Sequence, residues 1–308
     1  MGLAVLFFPE SPRWLIAHDR HDEALGFFAK YHGDGDASHP LVSLQANEIV
    51  EQMNLYRDEN PWWDLQELFN TRAARYRMAM VILMAFFGQW SGNNVVSYFM
   101  PLMLKQAGIT NSSTQLLLNA INPIFSMCGA VAGAFMLDKL GRRKMLLGGL
   151  AGALASYVML TAFTAEAFKN KDLSYGVIVS IYLFGICFAW GWTPLQMLYP
   201  VECLENRTRA KGAALKYIFL NIATMVNTYG VAVGIGKIGW KLYLVFIVWI
   251  CIEMVIIFLF FVETAGKTLE ELSEIFNAKN PVKKSLEKVK LQVDQEGHVI
   301  GIGEGSSV

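Results

Sequence analysis

Six apolar runs separated by short polar loops dominate the chain: Met78–Leu104, Leu116–Leu137, Met145–Ala165, Tyr175–Leu198, Ala213–Ile235 and Leu242–Val262. Each holds roughly 20 or more residues, the length a helix needs to cross about 30 Å of hydrocarbon. The pattern predicts an all-α membrane protein with six transmembrane helices. Residues 1–8 read as the end of an apolar helix cut short by Pro9, and the stretch 9–77 is polar and punctuated. Three short amphipathic pieces are expected there: His21–Tyr31 (with Asp19 as N-cap), Leu41–Tyr56 and Trp63–Phe69. Beyond the six-helix domain at 78–262, residues 263–308 predict a short amphipathic helix, Thr268–Phe276, and a disordered tail from residue 291.

The polar positions inside the apolar runs carry the functional signal. Met78–Leu104 holds Gln89, Ser91, Asn93, Asn94 and Ser97 halfway along. Lipid does not tolerate so many amides unless they face protein or a water-filled cavity. Gln89, Asn93 and Ser97 fall at i, i+4 and i+8 on one helical face, with Asn94 beside them. Uncharged amides with no titratable group among them suit a neutral polyhydroxylated ligand; the competing reading is hydrogen-bond glue between helices. Tyr175–Leu198 is interrupted by Gly185, Gly191 and Pro194, with Pro200 just past its end, and carries Trp190, Trp192 and Gln196. With the six helices split into two triplets, these two irregular helices take corresponding places, as expected where a transporter binds its cargo. Asn122, Ser126, Asn221 and Thr224 add polar groups on neighbouring runs, each open to cavity lining or to helix–helix bonding. Trp190 and Trp192 are equally open, to a sugar ring's C–H face or to packing.

Composition and charge narrow the classes. Hydrophobic residues make up 54% of the chain, and the 26 basic and 26 acidic residues cancel, so nucleic acid is not suggested. Lys and Arg segregate: Arg72, Arg75, Arg77, Lys139, Arg142, Arg143, Lys144, Arg207, Arg209 and Lys211 lie on one side of the six runs. That side is therefore read as cytoplasmic, with both termini inside and the plasma membrane as the expected location. A sequon at Asn111 falls on the outer side and is a glycosylation candidate; a second at Asn206 falls inside. The four cysteines are dispersed, the five histidines lie outside the runs, and no P-loop, G-x-S-x-G or G-x-G-x-x-G occurs. No metal, cofactor or enzyme activity is expected. Glu253 stands in an otherwise apolar run, open to a proton relay or to a packing contact with Lys216 or a neighbouring helix. Asp138, Arg142, Arg143, Glu202, Arg207 and Arg209, on two cytoplasmic loops, are expected to form an ion-pair gate holding the inner helix ends together. Glu205 joins them as a further acidic candidate.

Five segments, in order and at the right spacing, resemble those of the sugar porter family of the major facilitator superfamily. They are Pro9–Leu15 (PESPRWL), Gly88–Asn94 (GQWSGNN), Asp138–Arg143 (DKLGRR), Glu202–Arg209 (ECLENRTR) and Glu263–Glu271 (ETAGKTLEE). The resemblance implies that the six runs are helices 7–12 of a twelve-helix fold and that 9–77 is a cytoplasmic linker. It implies sugar contacts from Gln89 and Asn94. The family's first Gln of the helix-7 pair is Gly88 here, its helix-8 Asn falls at Ser126 with Asn122 one turn away, and its helix-10 Trp falls at Met197. The helix-7 variant is most like fungal lactose and cellodextrin permeases. The expected function is thus sugar permeation by alternating access in the lipid bilayer. The substrate would be lactose, cellobiose or a hexose, with proton coupling open. The alternatives are a non-transporting sugar sensor and a transport-dead fragment of the same fold.

Overall fold

The computed structural model describes residues 9–32, 35–36, 42–44, 46–47, 49–50, 63–167, 173–205, 207–293 and 299–305. The expected apolar helix end at 1–8 and most of Leu41–Tyr56 lie outside them. The chain forms two compact units, 1–65 and 66–308.

In the first unit, α1 (Pro12–Ala17) begins with Pro at N1, where its missing N–H costs nothing, and Ser11 Oγ accepts from Trp14 N at 3.2 Å. α2 (His21–His32) follows. Asp19 does not cap it: its φ is +58°, in the left-handed region, and Arg20 intervenes, paired with Glu23 at 2.6 Å. Leu15, Ile16 and Ala24 form a small core with Ile49 and Val50 against it.

The second unit is built of long helices. After a 3-10 turn at Gln66–Leu68 come α3 (Arg72–Trp90), α4 (Asn93–Gln106), α5 (Ser112–Leu140) and α6 (Arg142–Ala167). α7 (Ser174–Cys203), α8 (Arg209–Ile238) and α9 (Leu242–Phe260) complete the set, with a 3-10 turn at Gly239–Lys241 between the last two. Four stretches among the described residues are long and apolar enough to cross a membrane: Ser112–Leu140, Arg142–Glu166, Ser174–Cys203 and Arg209–Phe260, the last comprising α8 and α9. The first apolar run is not one helix. It breaks at Ser91 and Gly92, where φ of Gly92 is +92°, so Gln89, Asn93 and Ser97 do not follow one helical phase. Ser97 is exposed, whereas Asn94 is buried.

α7 is the central helix, packed mainly against α6 and α5. Glycines let the backbones meet. A Cβ on Gly133 would lie 2.1 Å from the Trp190 carbonyl, and one on Gly191 would lie 2.6 Å from the Met145 carbonyl. Despite Pro194 and Pro200, α7 is continuous. Pro200 cannot donate to the Gln196 carbonyl, and the Lys216 ammonium does so instead at 2.7 Å. A ladder of rings, Tyr157, Phe184, Phe188 and Trp192, runs through the core with successive centroids 5.0–5.8 Å apart.

Beyond α9, Thr268 and Glu271 form a reciprocal capping box that starts α10 (Leu269–Asn277). α11 (Pro281–Leu286) follows. Where the sequence reading expects a disordered tail, β1 (Lys288–Val293) pairs antiparallel with β2 (Val299–Gly305). The alternation of Val289, Leu291 and Val293 with Lys288, Lys290 and Gln292 is the period-2 pattern such a hairpin requires.

Candidate functional site: the helix break and the inner ionic cluster

A helix break releases backbone groups that must find partners. Side chains from two other helices meet carbonyls at 89–92, and a third helix reaches the Ser91 side chain. Asn227 Nδ2 of α8 donates to the Gln89 carbonyl at 2.7 Å. Tyr157 Oη of α6 donates to the Gly92 carbonyl at 2.9 Å. Ser91 Oγ bonds the Phe87 carbonyl and lies 2.6 Å from Glu253 Oε2 of α9. Trp90 Nε1 donates to the Ala223 carbonyl at 3.0 Å, a further tie to α8. Only glycine fits position 92: besides its positive φ, a Cβ would stand 2.2 Å from Tyr157 Oη.

The sequence-expected amides divide around this break. Gln89 and Asn93 are half-buried. Asn94 is 3% exposed and its Nδ2 has no hydrogen-bond partner. Asn122 is buried with Oδ1 unpartnered, and with Ser126 it lies against α7 at Gly185, whose Cβ would meet both. Asn221 is exposed and bonds only its own helix, Nδ2 to the Tyr217 carbonyl at 2.7 Å. Gln196 fills the space beside Gly88, where a Cβ would come within 2.5 Å of Nε2. Trp192 is fully buried in the ring ladder, and Trp190 Nε1 reaches Met136 Sδ at 3.4 Å. Lys216 does not pair with Glu253; its ammonium serves the Gln196 carbonyl. Asn111 caps α5, its Oδ1 accepting from Ser113 N at 2.9 Å. Asn206 lies outside the described residues.

At the other end of these helices the charges gather in two groups rather than one. Arg142, 8% exposed, reaches Glu202 through Nη2 at 2.8 Å and Nε at 3.1 Å, and Asp138 through Nη1 at 3.1 Å. Thr264 Oγ1 donates to the same Glu202 at 2.5 Å. Glu263 accepts from the Arg142 and Arg143 backbone N–H groups at 2.8 and 3.1 Å, capping the positive end of α6. Gly141, with φ of +84°, leaves room for that carboxylate.

The second group pairs Arg77 with Glu205 at 2.7 Å and Arg207 with Glu67 at 2.6 Å. Arg77 also lies 4.9 Å over the Phe276 ring, and burial lowers its pKa against the pull of Glu205. So Asp138, Arg142 and Glu202 come together, but Arg143 turns to the Phe258 carbonyl and Arg207 to Glu67. Arg209 joins neither carboxylate, and its Nε is unpartnered. Loop spacing pointed to 202–209 but gave no means of ranking Glu67, Arg77, Glu263 or Thr264. Their partners are 60 or more residues distant in sequence. The ETAGK segment was the one signal that could have raised Glu263.

Among the described residues no cluster of His, Cys, Asp or Glu is arranged to hold a metal ion.

Comparison with known proteins agrees with this architecture. Residues 1–276 match the model of the family described as "Sugar (and other) transporter". The chain is 28% identical over 314 residues to the "MFS glucose transporter mfs1" of Aspergillus flavus, covering 96% of this chain and 58% of that protein. It is 29% identical over 322 residues to the "High-affinity glucose transporter" of Kluyveromyces lactis, covering 97% and 58%. The chain thus spans little more than half the length of the curated relatives it matches. Its fold superposes on the xylose transporter XylE from E. coli in the inward-open conformation with a TM-score of 0.65, at 20% identity, covering 89% of this chain and 53% of that one. A multi-pass membrane fold of long helices and a family model spanning most of the chain lead to one assignment: the chain belongs to the sugar porter family of the major facilitator superfamily, a family of permeases and not of enzymes.

Proposed function

We propose that this chain supplies the C-terminal half of a sugar permease that works by alternating access. Six crossings make up that half: the broken α3–α4 pair and helices α5 to α9, with both ends of the chain on the cytoplasmic side of the plasma membrane. The segregation of Lys and Arg supports that orientation. The sugar binds at the break between α3 and α4. Gln89, Asn93 and Asn94 are its first contacts, and Asn122, Ser126 and Asn221 line the neighbouring helices. The observation that carries this reading is Asn94: a buried carboxamide with an unpartnered Nδ2 beside a helix break whose Gln89 and Gly92 carbonyls are met by Asn227 and Tyr157. An orphaned buried donor is costly in an empty structure, and a sugar hydroxyl relieves that cost.

The relatives are named glucose transporters, which supports a hexose beside the lactose or cellobiose suggested by the sequence variant. A neighbouring structure is titled a proton:xylose symporter, so proton coupling belongs to the same proposal. The Arg142–Glu202–Asp138 cluster, with Arg143, Arg207 and Arg209 around it, is the inner gate that releases when the cavity opens inward.

Uptake of labelled glucose, lactose and cellobiose in yeast lacking its own sugar carriers tests this. The chain is expressed alone and together with an N-terminal six-helix half. Saturable uptake of one of these sugars by the joined halves, with KM raised roughly tenfold by Gln89→Ala or Asn94→Ala, is expected, the size of one lost buried hydrogen bond. Unchanged KM in both variants would remove the binding assignment.

A further inference from the structure

Glu253 is the only buried acidic side chain among the described residues, and no cation meets it. Lys216 of α8 is committed to the Gln196 carbonyl, and Tyr157 of α6 to the Gly92 carbonyl. On its own helix, the uncharged Trp249 indole N–H is a hydrogen-bond donor toward the Glu253 carboxyl group and brings no charge to it. What Glu253 does touch, across from α9, is Ser91 at the break, Oε2 to Oγ at 2.6 Å. Ser91 Oγ is at the same time bonded to the Phe87 carbonyl one turn back.

Two oxygen–oxygen hydrogen bonds at one hydroxyl need two protons. Ser91 has one, the Phe87 carbonyl has none, and a carboxylate has none. For two full two-centre bonds the count closes when the carboxyl group brings its own proton. Burial without a counter-charge favours that same neutral form.

We propose that Glu253 is held as a protonated carboxylic acid that positions the break: its O–H donates to Ser91 Oγ, and the Ser91 hydroxyl donates to the Phe87 carbonyl. Ser91 then sits pinned between α3 and α9, and the chain leaves Gly92 in the direction that sets Asn93 and Asn94. Glu253 is a positioning residue; it does not touch sugar and does not pass its proton on. Its effect on sugar affinity rests on the binding reading above, whereas its protonation does not.

The proton is read directly in the infrared spectrum of the chain in lipid vesicles. A C=O band of a protonated carboxylic acid is expected at neutral pH, absent in Glu253→Gln and unmoved when the pH is raised by about two units. A wild-type spectrum without that band, or a band that bleaches over this range, overturns the proposal. Uptake by the joined halves gives the second readout. Glu253→Gln, whose amide donates to Ser91 without titrating, is expected to keep KM within about twofold and to keep the wild-type pH profile. Glu253→Leu and Ser91→Ala are each expected to raise KM roughly tenfold, and not additively when combined. A Gln variant as impaired as the Leu variant, or one with a displaced pH profile, overturns the proposal, since the proton would then have to leave. An intact band with KM unmoved in every variant supports the protonated acid and removes the sugar reading of Asn93 and Asn94.

Discussion

Prolines stand inside α4, α5 and α7 and none of these helices parts there, whereas the one broken apolar run parts where there is no proline. α7 contains Pro194 and Pro200 and runs without interruption from Ser174 to Cys203. The α3–α4 pair has no proline near its break, yet it parts at Ser91 and Gly92. The difference lies in who receives the freed backbone groups and how much room surrounds them. In α7 the one carbonyl released by Pro200 is met by Lys216, and glycine faces on α5 and α6 hold the helix straight between them. At 89–92, Asn227, Tyr157 and Ser91 with Glu253 reward a non-helical backbone, and Gly92 alone has the φ it needs. A break in a membrane helix is therefore a property of its neighbours as much as of its own residues.

The sharpest way to break this contrast is Gly92→Val, which meets both the positive φ and the Tyr157 hydroxyl. A loss of about 2–5 kcal/mol is expected, read as a lowered unfolding midpoint in detergent or as aggregation. Gly230→Ala, with nothing within 4 Å of its Cβ, is the control and is expected to be neutral or slightly stabilising. Next in size is Gly133→Leu, which drives α5 away from the Trp190 carbonyl and is expected to cost about 1–3 kcal/mol by the same measurement. Tyr157→Phe removes only the hydroxyl at the Gly92 carbonyl, and about 1–2 kcal/mol is expected.

The straightness of α7 is probed by a cycle. Pro200→Ala gives the Gln196 carbonyl a helical donor, so Lys216→Met is expected to cost about 1 kcal/mol less in that background than alone. Additive effects would mean that Lys216 does not compensate for the proline. Smallest is Asn221→Ala, where the only bond is to its own helix: stability is expected to change by less than about 0.5 kcal/mol. A KM increase at unchanged stability would place Asn221 on the sugar.

The long helices were legible because their signal is local. Runs of about 20 apolar residues gave Ser112–Leu140, Arg142–Ala167 and Ser174–Cys203 to within a few residues at most ends. That the first run is irregular was legible, but not that it parts at Ser91 and Gly92, for the groups that meet the backbone and side chain there come from 65 to 162 residues away. Glu253 stood out as an acid in an apolar run, but the sequence reading offered Lys216 or an unspecified neighbouring helix and did not reach Ser91. At the ionic cluster, Asp138 and Arg142 are four residues apart across the Gly141 turn between α5 and α6, so their pairing is local in sequence. Glu263, which closes the N-terminus of α6, depends on a tertiary contact across more than a hundred residues. The amphipathic helix at Leu269–Asn277 announced itself through the spacing of Leu269, Leu272 and Phe276, while the β1–β2 hairpin was masked by lysine-rich composition.

The most direct test of the sugar site at the break is protection of a single cysteine. With Cys128, Cys187, Cys203 and Cys251 replaced, Gln89→Cys in uptake-competent membranes is exposed to a water-soluble maleimide with and without substrate sugar. Modification from the aqueous phase, slowed by the transported sugar and not by a sugar that is not transported, is the expected result. A cysteine at position 89 that stays unreactive, or reacts at the same rate whatever sugar is present, would contradict it.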